Sequence, residues 1–361
     1  MLSALGIDPA RLRYVQPRTR RSHWQAIVNW LTRYQPPAEG ANLEQVRGYL
    51  EAFHHLCQIE EWQRALSLML HELDTPAQTP LHYQLKLWGY LPEQKELYDA
   101  LVDHVEPLWQ GRLLQFLGTV HQAQGNYRQA QDYCDRSLAI LQTVGDPVDQ
   151  GMVLSHLGDI HYALGDYGAA IDYQQQWLAI AREAGLRSGE GIALGSLGNV
   201  YDQMGDYAQA ITYHTQDLAI ARCLGEKQGE AAALVNLANA HDELGHQQQA
   251  IELYHQALAI ARQIGDRWGE GLTLANLGET LVKVGQHETA LVYLQTALKI
   301  LQRQDARAIE AATYKWLGVL YQAMDDRQQA TAAFDRAIAL ATALEIPLAD
   351  DCRRLRSTLS V

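Results

Sequence analysis

Three observations predict an all-α chain of stacked helical hairpins. A Leu-Gly or Leu-Ala pair recurs every 40 residues, at Leu117-Gly118, Leu157-Gly158, Leu197-Gly198, Leu237-Ala238, Leu277-Gly278 and Leu317-Gly318. An alanine follows each pair at fixed spacing, at Ala130, Ala170, Ala210, Ala250, Ala290 and Ala330. Each interval also carries two apolar stripes at helical spacing, parted by a short turn. A period held without slippage over this length means units that bury their apolar faces only against their neighbours.

The N-terminal third comes before the regular pattern. Residues 1–41 lack it: Pro17 and Pro36-Pro37 bracket an expected helix over His23–Tyr34. Six arginines (Arg11, Arg13, Arg18, Arg20, Arg21, Arg33) stand there against Asp8 and Glu39, and the segment reads as a basic, solvated arm. Residues 42–109 read as divergent hairpins. Tyr49, Ala52-Phe53, Leu56, Trp62 and Ala65-Leu66 fall at hairpin spacing, with Gln58-Ile-Glu-Glu in place of a glycine turn. A second pair of apolar segments, around Trp88-Gly89-Tyr90 and Tyr98–Leu108, is expected to be broken by Pro92. Arrays need atypical end units, so this region is expected to cap the array.

Residues 110–342 hold six units. In one of them Ile192, Leu194, Leu197 and Val200-Tyr201 make a first helix. Gly205-Asp206 breaks it, and Tyr207, Ala210, Ile211, Leu218, Ile220 and Ala221 make a second, which Gly225 ends. Gly198 and Ala210 are expected to let the two helices approach closely. Glu190, Glu230, Glu270 and Glu310 open first helices and Arg182, Arg222 and Arg262 close second helices, each sign suiting the helix dipole. Residues 343–361 form a C-terminal capping helix.

Leu194-x-x-Leu197-Gly198-x-x-Tyr201 with Ala210, and Tyr314-x-x-Leu317-Gly318-x-x-Tyr321 with Ala330 and Phe334, resemble the tetratricopeptide repeat. The common period is 34 residues and here it is 40, with the extra residues in segments such as Gly265-Asp-Arg-Trp-Gly-Glu270. This looks like the long-repeat subtype of Pins/LGN-like scaffolds. The resemblance implies a right-handed α–α superhelix whose first helices line a concave groove that binds extended peptides.

Composition excludes several function classes. The formal net charge of −13 disfavours nucleic acid and anionic membrane as partners of the repeat body. Four cysteines without CxxC spacing suit a reducing cytoplasm. No signal peptide and no run long enough to span a membrane is visible. No P-loop, GxSxG or HExxH occurs, and the Gly189/Gly191 and Gly269/Gly271 pairs read as linkers, so neither enzyme nor cofactor is expected. His121, His161 and His241 share one position in separate repeats. Equivalent helices stand at least ~8–10 Å apart, too far to share an ion held at ~2.1 Å. With His54-His55 on different helix faces, no metal is expected.

The candidate site is the first-helix face. Around the residue that follows each Leu-Gly pair it reads Ser155-Asp159-Tyr162, then Asn199-Asp202, Asn236-Asn239-Asp242 and Asn276-Glu279, with Trp316 as an apolar anchor at one end. Asparagine donates and accepts at once and so can hold a peptide backbone whatever its sequence, while the carboxylates favour a neutral to basic partner. Arg112 and Lys315 are the cations expected on this face, too few to grip a C-terminal carboxylate. The function expected is a non-enzymatic scaffold or adaptor that binds an extended protein segment. The alternative is a peptide-switched regulator that relays through its N-terminal helices.

Overall fold

A computed structural model of the chain describes residues 1–37, 42–74, 78–144, 147–304 and 306–360. Glu39 and Val361 lie outside the described residues. Among the described residues every extended element is a helix, apart from a lone bridge between Glu72 and Pro80. The chain divides into two compact units, Met1–Asp166 and Tyr167–Val361.

The first unit opens with a 3-10 helix, Pro9–Tyr14, and continues through α1 (Arg18–Thr32), α2 (Asn42–Gln58) and α3 (Trp62–Met69). Helix α1 begins directly after Pro17, a turn earlier than the expected His23. The segment before it is packed rather than solvated. Leu5 and Ile7 are buried in one core with Trp24, Ile27, Phe53 and Leu56. Arg64 Nε donates to the Leu5 carbonyl at 2.9 Å, and Arg20 pairs with Glu61 at 2.6 Å. The arginines drew attention to charge, but the apolar residues among them decide where the segment goes. Helices α2 and α3 pair across a turn in which Glu60 takes a left-handed φ of 59°.

Next come α4 (Leu81–Leu87) and α5 (Leu91–Leu101). The break between them falls at Trp88–Tyr90, where Gly89 has φ 80°, and not at Pro92. Pro92 lies in the first turn of α5, where its missing N–H had no helical partner to lose. Leu108 belongs to the following helix, α6 (Pro107–Ala123), which pairs with α7 (Tyr127–Val144); α8 (Pro147–Ala163) packs on both. A Cβ on Gly118 would stand 2.7 Å from Cys134 Sγ, so glycine is what admits α7 there.

The second unit runs α9 (Tyr167–Glu183), α10 (Arg187–Gln203), α11 (Tyr207–Leu224), α12 (Lys227–Glu243), α13 (Gln247–Ile264), α14 (Arg267–Lys283), α15 (His287–Arg303), α16 (Arg307–Ala323), α17 (Arg327–Ala343) and α18 (Leu348–Ser357). Four hairpins follow α9: α10–α11, α12–α13, α14–α15 and α16–α17. Their turns place Gly205, Gly245 and Gly285 at φ 78°, 81° and 77°, and Asp325 serves the same role at 61° in the last. The close approach predicted at Gly198 is present, and the residue it admits is His214. A Cβ on Gly198 would overlap that imidazole, as one on Gly278 would stand 2.6 Å from Leu294 and one on Gly318 2.6 Å from Phe334. The conserved-spacing alanine lies four residues before each of these.

Successive hairpins are clamped by ion pairs. Arg182 Nε donates to Glu190 Oε1 at 2.9 Å, Arg222 to Glu230 at 3.0 Å and Arg262 to Glu270 at 2.8 Å. A second cation, Arg187, Lys227 or Arg267, meets the other oxygen of each buried glutamate. Hydrogen bonds from Lys227 and Arg222 hold the Glu230 carboxyl below its ordinary range. The sequence suits these residues to helix dipoles, but in the structure their main partners are one another. Helix α18 packs on α16 and α17, with Ala349 buried against Ala311 and Ala341.

Candidate partner-binding face

In the second unit each first helix touches the next: α10 meets α12, α12 meets α14, and α14 meets α16. The 40-residue register therefore brings equivalent positions of neighbouring first helices side by side, and the predicted asparagines bridge the joints. Asn236 Nδ2 donates to Asn199 Oδ1 at 3.2 Å, and Asn276 Nδ2 donates to Asn239 Oδ1 at 3.0 Å. The spacing of 37 residues in both bonds shows one geometry used twice. Tyr254, buried on α13, donates its hydroxyl to Asn239 Oδ1 at 2.6 Å, fixing that amide from beneath. An amide offers two N–H donors and two acceptor lone pairs, so each bridged pair keeps donors on Asn199 or Asn239 and an acceptor on Asn236 or Asn276.

The acidic members are held differently. Asp202 Oδ2 lies 3.0 Å from His214 Nε2. Asp242 is only 6% exposed, and its Oδ2 accepts from Lys283 Nζ at 2.7 Å. That ammonium also lies 3.0 Å from Glu279 and 3.6 Å from Glu243. Burial alone would lower the Lys283 ammonium, but the hydrogen bonds to Asp242 and Glu279 outweigh it and raise it above its ordinary value. Oδ1 of Asp202 and Oδ1 of Asp242 are buried without a hydrogen-bond partner among the described residues. Asp242, Glu243 and Glu279 bring their oxygens within 4.8 Å of one another. The lysine at their centre makes this an internally paired acidic cluster.

Lys283 also links the stripe to its far end. Its Nζ lies 5.6 Å from the centre of the Trp316 ring, and Lys315 Nζ lies 4.9 Å from it. Trp316 is partly buried against the core of the second unit, so part of its ring serves packing. Sequence reading missed Lys283, which sits one helical turn after Glu279. It also missed Tyr254 as the residue that orients Asn239, and Trp268, which lies in a segment that reads as a linker.

Asp159 and Tyr162 lie on α8 in the first unit. Burial pushes the Asp159 carboxyl up to about 6. The register places His156, not Ser155, at the position equivalent to Asn236. Ser155 is buried, whereas His156 Nδ1 lies 3.4 Å from Gln115 Nε2 across the α6–α8 joint. Burial takes the His156 ring down to about 4. Arg112 is already engaged by Asp149, at 2.8 and 3.0 Å. His121 and His241 are buried, and His121 stacks on Tyr133 at 5.2 Å.

A family model described as the tetratricopeptide repeat matches residues 110–183, 189–263 and 270–343, most of the chain. The chain belongs to the tetratricopeptide-repeat family. No curated protein matches it in sequence. Among solved structures it is similar to a Signal Transduction ATPase with Numerous Domains protein with a tetratricopeptide-repeat sensor from Pyrococcus horikoshii, at 16% identity and a TM-score of 0.65. That likeness covers 96% of this chain but 56% of the other, so this chain spans little more than half of that protein's length. It is also similar to a Rap protein complexed with Competence and Sporulation Factor, at 16% identity and a TM-score of 0.56 over 88% of this chain and 98% of that one. Aspartyl phosphate phosphatase F from Bacillus subtilis matches at 13% identity and a TM-score of 0.58 over 95% and 96%. At these identities what is shared is the fold. The period of 40 residues remains a departure of these tetratricopeptide repeats from the common length. No helix among the described residues is long and apolar enough to cross a membrane.

Proposed function

We propose that this tetratricopeptide-repeat chain is a non-enzymatic binding module, a scaffold or adaptor of the cytoplasm. It holds an extended, neutral to basic segment of a partner protein on its first-helix face. The observation that carries this reading is the amide ladder, Asn236 to Asn199 and Asn276 to Asn239, which crosses three hairpins on one face. Amides locked to each other keep a fixed direction, so their remaining donors and acceptors are pre-arranged for a peptide backbone. Asp202, Asp242 and Glu279 set the sign of the partner, and Trp316 supplies an apolar end. In the first unit, taken by itself, Asp159 and Tyr162 on α8 offer a carboxyl and a phenol to a partner. The structural likeness to a protein solved with Competence and Sporulation Factor supports the fold's capacity to carry a bound factor.

The test uses a partner recovered by affinity capture and then purified, titrated against wild type and Asn199→Ala/Asn239→Ala at low and high salt. Weaker binding by the double variant is expected, together with a decline as salt rises, since exposed charges are screened beyond ~8–10 Å at 0.1–0.15 M. Unchanged affinity in a folded double variant removes the ladder as the site.

A further inference from the structure

Two cavities are walled by both α12 and α14, one reaching Asn236 and the other reaching Asn239 and Asn276. The first, about 410 Å³, is walled by Ala231, Ala232 and Val235 on α12 and by Trp268 and Leu272 on α14, and it ends at Asn236. Its lining is mostly apolar carbon. Trp268 is 50% exposed, although it is the largest side chain there. It is peculiar to this joint: the equivalent residues of the neighbouring repeats are Ser188, Gln228 and Ala308. Asp266 Oδ1 accepts from the Gly269 N–H at 2.8 Å, fixing the turn that carries the indole. Opposite it, Ala232 stands where the adjoining repeats have Ile192 and Leu272, so α12 leaves the space that the cavity occupies.

The second cavity, about 280 Å³, is bounded by Asn239, Asp242, Glu243, Tyr254, Asn276 and Glu279. It holds three carboxylates against the single ammonium of Lys283. Asp242, a wall residue of this cavity, is more than nine-tenths buried, and its Oδ1 has no hydrogen-bond partner among the described residues. A buried carboxylate oxygen left unpaired is costly, and a donor brought to it recovers that cost.

We infer that these two cavities form a two-part specificity site for an extended segment. An aromatic or branched aliphatic side chain enters beside Trp268, and a lysine or arginine three or four residues away reaches Asp242, Glu243 and Glu279. The inference rests on the binding function proposed above and names what that face selects. The two cavities are centred seven to nine helical residues apart, about 10–13 Å at 1.5 Å per residue. An extended chain covers that distance in about three to four residues at ~3.3 Å each. The segment's backbone then crosses Asn236, Asn239 and Asn276, the amides between the two ends. The occupant is fixed by complementarity at both ends: an apolar wall with an exposed indole, and a cluster with net negative charge.

The experiment selects a phage-displayed library of random peptides on wild type, on Trp268→Ser, on Glu243→Gln/Glu279→Gln and on Asn199→Ala/Asn239→Ala, each first shown to melt cooperatively. The expected result is a wild-type pool in which an aromatic or branched residue is paired with Lys or Arg at a separation of three or four. Trp268→Ser loses the apolar preference and keeps the basic one, and the glutamine pair does the reverse. A synthetic peptide from the pool should bind Trp268→Ser about tenfold or more weakly, the scale of a tryptophan anchor. Against the glutamine pair it should lose about threefold, the scale of partly exposed charges. Peptides that enrich on wild type and are lost on the asparagine variant, but show no such pairing, overturn this inference and leave the binding function standing. No enrichment on wild type above the asparagine variant overturns both.

Discussion

In hairpin α10–α11 the ring buried beneath the first helix is His214; in hairpin α12–α13, at the equivalent position, it is Tyr254. The polar contacts of the two rings differ accordingly. His214 reaches up to Asp202 of its own hairpin, and Asp217, one turn further on, lays its carboxylate against the glycine-lined face of α10 at Gly191 and Gly195. Tyr254 gives its hydroxyl proton to Asn239 instead, and the residue equivalent to Asp217 is Ala257, fully buried. Asp242, without an imidazole beneath it, is taken by Lys283 from the next hairpin. One slot in one fold thus decides whether an aspartate is satisfied locally or across the joint. The second choice couples neighbouring repeats and gathers the charge that the proposed site uses.

The largest expected difference between the two hairpins comes from filling the space over the ring. Gly198→Leu must displace His214, since even a Cβ overlaps it, and overpacking costs ~1–3 kcal/mol. Ala238→Gly, at the matching position over Tyr254, creates no overlap and should cost ~1 kcal/mol from lost helix propensity, with up to ~0.8 kcal/mol more for its buried methyl. Hydrogen exchange should show lost protection in α10, α11 and the helices touching them for the first variant alone. Equal melting temperatures for the two would end the claim that the ring sets the approach.

The next effect depends on pH. Burial pushes the Asp217 carboxyl up to about 6, with the His214 charge opposing and Glu226 reinforcing the rise. A folded value above the unfolded ~3.8 means that ionisation penalises the fold, so the penalty is full above pH 6 and fades as pH falls towards 4. Asp217→Ala, which copies Ala257, should therefore stabilise by on the order of 1–2 kcal/mol near pH 7.5, allowing for partial solvent screening. The gain should shrink by pH 5. A pH-independent gain would assign it to helix propensity alone.

How far these contrasts were legible in sequence varies by residue. Gly205, Gly245 and Gly285 announced their turns because a left-handed φ suits glycine, and the Leu-Gly pairs announced the close approach. The asparagines were found because a 40-residue register carries equivalent positions onto one face. What failed was the packing of elements outside the repeated pattern and the pairing of side chains across turns. Leu5 and Ile7 looked incidental in an arginine-rich segment, yet they are core. Pro92 looked like a breaker but starts a helix. Arg222 and Glu230 read as separate dipole partners, because nothing in their spacing says that a turn will fold one onto the other. Trp268 was hidden in a glycine-flanked segment, and Lys283 lay just beyond the stretch over which the polar stripe was traced.

The smallest of the three effects isolates one hydrogen bond. Tyr254→Phe keeps the ring and removes the proton given to Asn239, so a loss of ~0.5–1.5 kcal/mol is expected. The Asn239 side-chain amide resonances should shift, and those of Asn199, which has no tyrosine beneath it, should hold still. Movement of both would mean that the ladder responds as one body.

The clamps between hairpins bear on how such a chain can change length. Arg222 meets Glu230 as Arg262 meets Glu270, and Asn236 meets Asn199 as Asn276 meets Asn239. Excising residues 227–266 would set Arg222 before Glu270 and Asn276 beside Asn199, the same contacts with one period removed. The stretch is therefore an interchangeable cassette. Recombination between its ends changes the number of repeats without inventing a new junction, while it deletes the α12 wall facing Trp268. Repeat number and the α12 wall facing Trp268 are thus written in the same 40 residues, and a duplication or loss there edits both together.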